Sequence, residues 1–197
     1  MIEPRKVLLT LVVVGLTGAL VAISAFSAFT STTSNSGNSF AAGTVNISDN
    51  DAGSAMYSVS NREPGDVVEK CIKVTYTGSL DADVKLYTTS SIGSLGPYVN
   101  LTITPGTQAV STFPDCTGFV ADGAAIFNNT LANFASSHSG WANGLADNPG
   151  TSATKWVAND AVVYKFTLTL ADDNNANGGS SALTTGSHAF TWEARNQ

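Results

Sequence analysis

The chain is poor in the residues that carry most hydrolytic and metal chemistry. Of its 197 residues only two are histidine, His138 and His188, and they lie far apart in the sequence. A zinc peptidase of the common kind needs H-E-x-x-H, two histidines on one helical face with a glutamate base between them. Neither histidine here has such neighbours. No G-x-S-x-G elbow is present. The two cysteines, Cys71 and Cys116, stand outside any C-x-x-C or C-x-x-H spacing, which argues against a cysteine-rich metal site. Basic residues are few as well: nine Lys and Arg against fifteen Asp and Glu, for a net charge of −6. Nucleic-acid binding needs clustered cations, so that class of partner is excluded. Binding to anionic membrane surfaces is disfavoured on the same ground.

Long apolar runs are missing too, with one exception at the start. Arg5 and Lys6 precede an uncharged apolar run from Val7 to Phe29, and small residues (Ala22, Ser24, Ala25, Ser27, Ala28) gather at its exit. Basic start, apolar middle and small-residue exit make a signal peptide. The run also exceeds the roughly 20 residues that span a bilayer, so a retained membrane helix is the alternative. The Ser/Thr/Asn-rich stretch that follows has no basic stop-transfer cluster and favours cleavage. Ala25-Phe26-Ser27 fits cutting before Ala28, and cutting after Ala28 would make Phe29 the first residue. The expected organisation is a signal peptide over 1–28, a flexible segment over 29–39 and one domain over 40–197. Secretion follows, with membrane contact only through the leader before cleavage.

In an exported chain two cysteines read most simply as one disulfide, Cys71–Cys116, with two free thiols as the alternative. The strand pattern supports a structural role. Val68, Ile72, Val74 and Tyr76 share one face, and Cys71 lies on the other, polar one. A bridge would therefore pin the Phe113-Pro114-Asp115 loop over the outside or edge of a sheet. By chain entropy it would contribute roughly 4 kcal/mol.

The rest is rich in Thr, Val and aromatics, punctuated by Gly, Asn, Asp and Ser. The clearest strand is Ala161 to Leu170, with Val162, Tyr164, Phe166, Leu168 and Leu170 on one face. Ser187 to Ala194 repeats the pattern with Phe190, Trp192 and Ala194. The two form either a long-looped hairpin or a crossing between sheets. Val84 to Tyr87 and Tyr98 to Thr104 are further strands, the second ended by Pro105-Gly106. Pro64-Gly65 signals a type II turn. Asp122 can cap a helix through Phe127, Leu131, Phe134 and Ala135. The expected fold is all-β: a jelly-roll-like two-sheet β-sandwich with one short helix, preceded by an N-terminal signal helix.

Three blocks carry a family likeness. The first is Ser27-Ala28-Phe29-Thr30 followed by Asn38-Ser39-Phe40-Ala41-Ala42-Gly43-Thr44-Val45-Asn46-Ile47. The second is Asn61-Arg62-Glu63-Pro64-Gly65-Asp66-Val67 with Thr77-Gly78-Ser79-Leu80 and the strand after it. The third is Phe190-Thr191-Trp192-Glu193-Ala194. Together they resemble the TasA/camelysin family of exported bacterial proteins. The resemblance implies a jelly roll and cleavage near Ala28/Phe29 by a dedicated signal peptidase. It also implies assembly into extracellular matrix or surface fibres, with like or related subunits. In such fibres the freed N-terminal segment enters the next subunit as a strand. Phe29 and Phe40 are the candidate anchors of that donor strand; the alternative makes Phe40 to Ile47 the first strand of its own domain. The cysteine pair departs from the family's best-known fibre former.

The remaining chemistry is thin. Asp173-Asn174-Asn175-Ala176-Asn177-Gly178 matches half of a calcium loop, with Asp173, Asn175 and Asn177 as weak ligands and Thr184 where a bidentate Glu belongs. Asp49-Asn50-Asp51 is a weaker cluster. Otherwise no metal, cofactor or catalytic residue is expected. Two rival functions remain: a monomeric adhesion or carbohydrate-binding module using Trp141 and Trp156, and a secreted metallopeptidase, as camelysin relatives have been described. N-terminal sequencing of the exported product is expected to start at Ala28 or Phe29. A product that still starts at Met1 would show the leader retained.

Overall fold

The structure is a computed structural model describing residues 4–25, 39–150, 154–177 and 182–196. The chain forms two compact units, residues 1–41 and 42–197. In the first, helix α1 runs from Pro4 to Ala25. Its side chains are described through Leu16, and those from Val7 to Leu16 are exposed. Among the described residues no helix is long and apolar enough to cross a membrane. The cleavage candidates Ala28 and Phe29 lie outside the described residues.

The second unit is an all-β sandwich. In chain order its elements are β1 (Ile47–Asp49), β2 (Val67–Tyr76), β3 (Asp83–Tyr87), β4 (Val99–Gln108), β5 (Phe119–Ala121), β6 (Phe127–Thr130), α2 (Leu131–Ser137), β7 (Leu145–Ala146), β8 (Ala161–Leu170) and β9 (Thr191–Arg195). One sheet has the order β1-β2-β8-β4-β5, with β6 also on β4. The other has the order β7-β3-β9, and every pairing is antiparallel.

The period-two face read from β8 is the floor of the core. Val162, Tyr164, Phe166, Leu168 and Leu170 are buried, flanked by Ile72, Val74 and Tyr76 from β2 and Val99, Leu101 and Ile103 from β4. The other sheet presses back with Val84, Leu86 and Trp192. Ring contacts tie the two layers: Phe166 to Phe190 at 4.7 Å and Tyr164 to Trp192 at 5.5 Å between centroids. Long β8 and short β9 therefore lie in different sheets, which settles the crossing over the hairpin. The same holds for β2 and β3, joined across the sandwich through Gly78-Ser79.

Two expectations are corrected. Strand β4 does not stop at Pro105-Gly106. Pro105 sits where β6 has ended its pairing at Ile103 and β5 has not begun at Gly106, so no neighbour needs the missing N–H. Gly106 lets β5 pass closely, since a Cβ there would lie 2.2 Å from the Val120 carbonyl oxygen. The helix is also shorter than expected. Asp122 is no cap; its N–H donates to Pro105 O, and Gly123 follows with φ +99°. Phe127 belongs to β6 opposite Ile103. Helix α2 starts at Leu131, capped by Thr130, whose Oγ1 accepts from Asn133 N at 3.1 Å. The turn at Pro64-Gly65 is as read, with Asp66 N on Glu63 O and Gly65 at φ +89°.

Placing a methyl group at Gly106 pushes β5 off β4. Gly106→Ala is expected to lower stability by about 2 kcal/mol, read from the urea midpoint. An unchanged midpoint would mean the close passage of β5 bears no load.

Candidate functional site

The first two family-like blocks meet in space. Thr44 N donates to Ser79 Oγ at 3.0 Å, and Thr44 O accepts from Ser79 N at 2.9 Å and Leu80 N at 3.2 Å. Asn46 repeats the link on Thr77, through its carbonyl at 2.9 Å and its amide at 2.8 Å. Gly78 is the residue that permits this approach: a Cβ there would lie 2.7 Å from Thr44 O and closer still to the Tyr76 hydroxyl, which itself donates to Leu80 O. Residues 44–46 are thus hydrogen-bonded to the 77–80 turn of their own unit and lead into β1. Phe40 behaves differently. It falls in the other compact unit and is 98% exposed. The second donor candidate, Phe29, is not among the described residues.

Among the strand edges without a strand partner in the described residues are those of β9 and β2. Strand β9 pairs with β3 on one side only, and β2 pairs with β1 only over Val74–Tyr76. The Cys71–Cys116 disulfide is formed, with Cα atoms 5.1 Å apart. It holds the loop containing Pro114 against β2, where Cys71 N donates to Pro114 O at 3.1 Å. This is the position expected from the polar face of the strand.

Residues 4–96 match the family model described as camelysin metallo-endopeptidase. Over that stretch the chain is similar to the camelysin family. The match takes in α1, the Thr44–Ser79 junction and β1 to β3, and it ends before β4. No match is found among curated proteins.

The camelysin description implies a metal, and the described residues do not fit a catalytic zinc. No group of three or more His, Cys, Asp or Glu side chains converges among them. His138 places Nδ1 on Asn143 O at 2.7 Å and packs on Phe127 and Phe134 at the end of α2. His188 has both ring nitrogens engaged. Nδ1 meets Gly186 O at 3.0 Å, so it carries the proton, and Nε2 accepts from Tyr57 Oη at 2.5 Å. Burial pushes the Tyr57 phenol well up, which keeps it a donor. In the half calcium loop, Asp173 Oδ1 accepts from Asn175 N at 2.8 Å and Asn175 Nδ2 at 2.9 Å, the pattern of an Asx turn. Asp49 and Asp51 cap their own turn in the same way.

The tryptophans divide. Trp156 is 0% exposed, pairs with Ala82 in an isolated bridge and donates Nε1 to Asp147 O at 2.7 Å, so it is core and no sugar platform. Trp141 is half-buried, with Lys85 Nζ at 5.0 Å and the Arg195 guanidinium at 4.5 Å from its ring. That leaves the carbohydrate reading without its pair of contacts.

One feature escaped the sequence. A cavity of about 150 Å³ lies beside Pro105 and Gly106, lined by Asp122, Asp147 and Val162 among others. Asp147 Oδ2 is buried without a hydrogen-bond partner. Burial raises this carboxyl most, the Tyr164 hydroxyl and Asn148 N–H pull it back, and Asp122 raises it further. Nothing in the run Leu145-Ala146-Asp147-Asn148 marks the group, because its neighbours come from β4 and β8. A carboxyl raised in the fold binds its proton more tightly there than in the unfolded chain. Its penalty is absent at low pH and grows as pH rises through the folded value. Asp147→Asn is therefore expected to stabilise by about 1 kcal/mol at neutral pH. The gain should vanish as pH falls into the ordinary aspartate range; a gain constant with pH would contradict the assignment.

Proposed function

We propose that this chain is an exported structural protein, a subunit of extracellular matrix or surface fibres joined by strand donation. The observation that carries the reading is the contrast at the junction. Thr44 and Asn46 are locked onto Thr77 and Ser79, whereas Phe40, just upstream, belongs to the other unit and is exposed. A large apolar side chain presented on the segment that precedes an anchored strand suits a ligand for another sheet. An added strand satisfies an edge's backbone groups and places alternate side chains in its pockets. The edges of β9 and β2 supply such groups, and the partner would be another copy or a related subunit. The acidic balance suits solubility outside the cell.

Purified mature protein is expected to form filaments visible by negative-stain microscopy. Deleting residues 29–39 should abolish them while the circular dichroism of the β domain persists, and Phe40→Ala should weaken them. Filaments that survive the deletion would remove the arm from the mechanism. A second reading, a secreted metallopeptidase, is favoured by the family description alone. It requires proteolysis that chelators abolish and that persists through repurification.

A further inference from the structure

The edge of β2 is covered in steps, and the last step is held by the disulfide. In the β2–β8 ladder, residues facing β8 alternate with residues facing away. Cys71 N–H goes to Pro114 O and Lys73 N–H to Asn50 Oδ1, so the odd-numbered residues of β2 present their backbone to the edge. Strand β1 covers Val74–Tyr76. Asn50 covers Lys73, accepting its N–H at 2.9 Å and donating its own N–H to Lys73 O at 3.2 Å. Pro114 covers Cys71. Beyond it, Glu69 and the half-exposed Val67 face the edge with no strand partner among the described residues.

The covering loop is a small body of its own. Asp115 N bonds Thr112 O, Phe119 N bonds Cys116 O, and Gln108 Nε2 bonds both Asp115 O and Thr117 O. Among the described residues it reaches the β2 backbone through the single Cys71–Pro114 hydrogen bond. It also steadies the next cover, since Asn50 Nδ2 donates to Ser111 Oγ at 3.2 Å. Cys71 is 1% exposed, whereas Cys116 lies among exposed loop residues. A thiolate therefore attacks from the Cys116 side without entering the core.

We infer that the Cys71–Cys116 disulfide latches this loop over the β2 edge, and that reduction opens the edge to antiparallel pairing with β2 of a second copy. A dithiol reductant supplies two electrons and two protons. The S–S bond breaks to two thiols, and the reductant closes its own disulfide. The strand's charge pattern names the occupant. In a two-fold antiparallel pair centred on Cys71, Glu69 of each copy faces Lys73 of the other. The edge-facing odd residues then become the hydrogen-bonded pairs, which the parity of β2 requires. Opposite Cys71 residues would have Cα atoms about 5.5 Å apart, inside the roughly 4.4–6.8 Å that a disulfide bridges. This pairing does not involve the N-terminal arm and stands apart from strand donation.

The test uses the mature chain, oxidised and reduced with dithiothreitol. At low concentration, hydrogen exchange at Cys71 and Lys73 should quicken by about tenfold or more on reduction, while β4 and β8 amides stay protected. At high concentration the reduced form should sediment as a dimer. Glu69→Lys should abolish the dimer, and Glu69→Lys with Lys73→Glu should restore it. Cys116→Ser treated with oxidised glutathione should yield a dimer linked Cys71 to Cys71. A reduced chain that stays monomeric, a dimer indifferent to Glu69→Lys, or loss of protection throughout the domain on reduction would each overturn the inference.

Discussion

The structure depends on one packed contact, the apolar face of β8 pressed against Phe190 and Trp192 across the sandwich. Strand β8 is central in the larger sheet and hydrogen-bonded along both sides, so its buried side chains join three strands into one floor. Phe166 and Tyr164 meet the rings of Phe190 and Trp192, and those rings bring the smaller sheet with them. Burying aromatic surface of this size is among the largest single contributions a core contains. Strands β1 and β6 are short and lean on that floor, and α2 packs Leu131 and Phe134 into its end.

The two sheets are unequal, and the inequality shapes the surface. The larger sheet closes one edge with β5 and β6, whereas β2 is protected piecemeal by a short strand, one asparagine and a disulfide-held loop. The smaller sheet leaves β9 paired on one side. Natural sheets blunt such edges because unpaired backbone is a template for further strands. A protein that assembles through strands must keep an edge available, and one that does not must cover it. The cover on β2 uses the cysteine pair by which this chain departs from the best-known fibre former of the family it resembles.

The family match and the chemistry of the described residues point in different directions. The match carries a peptidase description, yet His188 spends both ring nitrogens on a backbone carbonyl and a tyrosine, and His138 spends Nδ1 on a backbone carbonyl. The junction residues within the matched range have a structural task. Thr44 and Gly78-Ser79 form a junction, with Gly78 where two backbones approach and hydroxyls where their N–H groups need partners.

The sequence by itself determined the features that are local. The basic-apolar-small pattern of the first residues, the alternating faces of β2 and β8, the turn at Pro64-Gly65 and the side of β2 on which Cys71 lies can all be read within a few residues, because a strand's period is set by its own backbone. Only the tertiary structure decided the rest. Pro105 stays inside a strand because two other strands leave a gap there. Phe127 is strand rather than helix because Ile103 lies opposite it. Trp156 is core, and Asp147 is left with a bare buried oxygen, through neighbours distant in the chain. Burial and hydrogen-bond satisfaction are properties of those neighbours, and pattern within a segment carries no record of them.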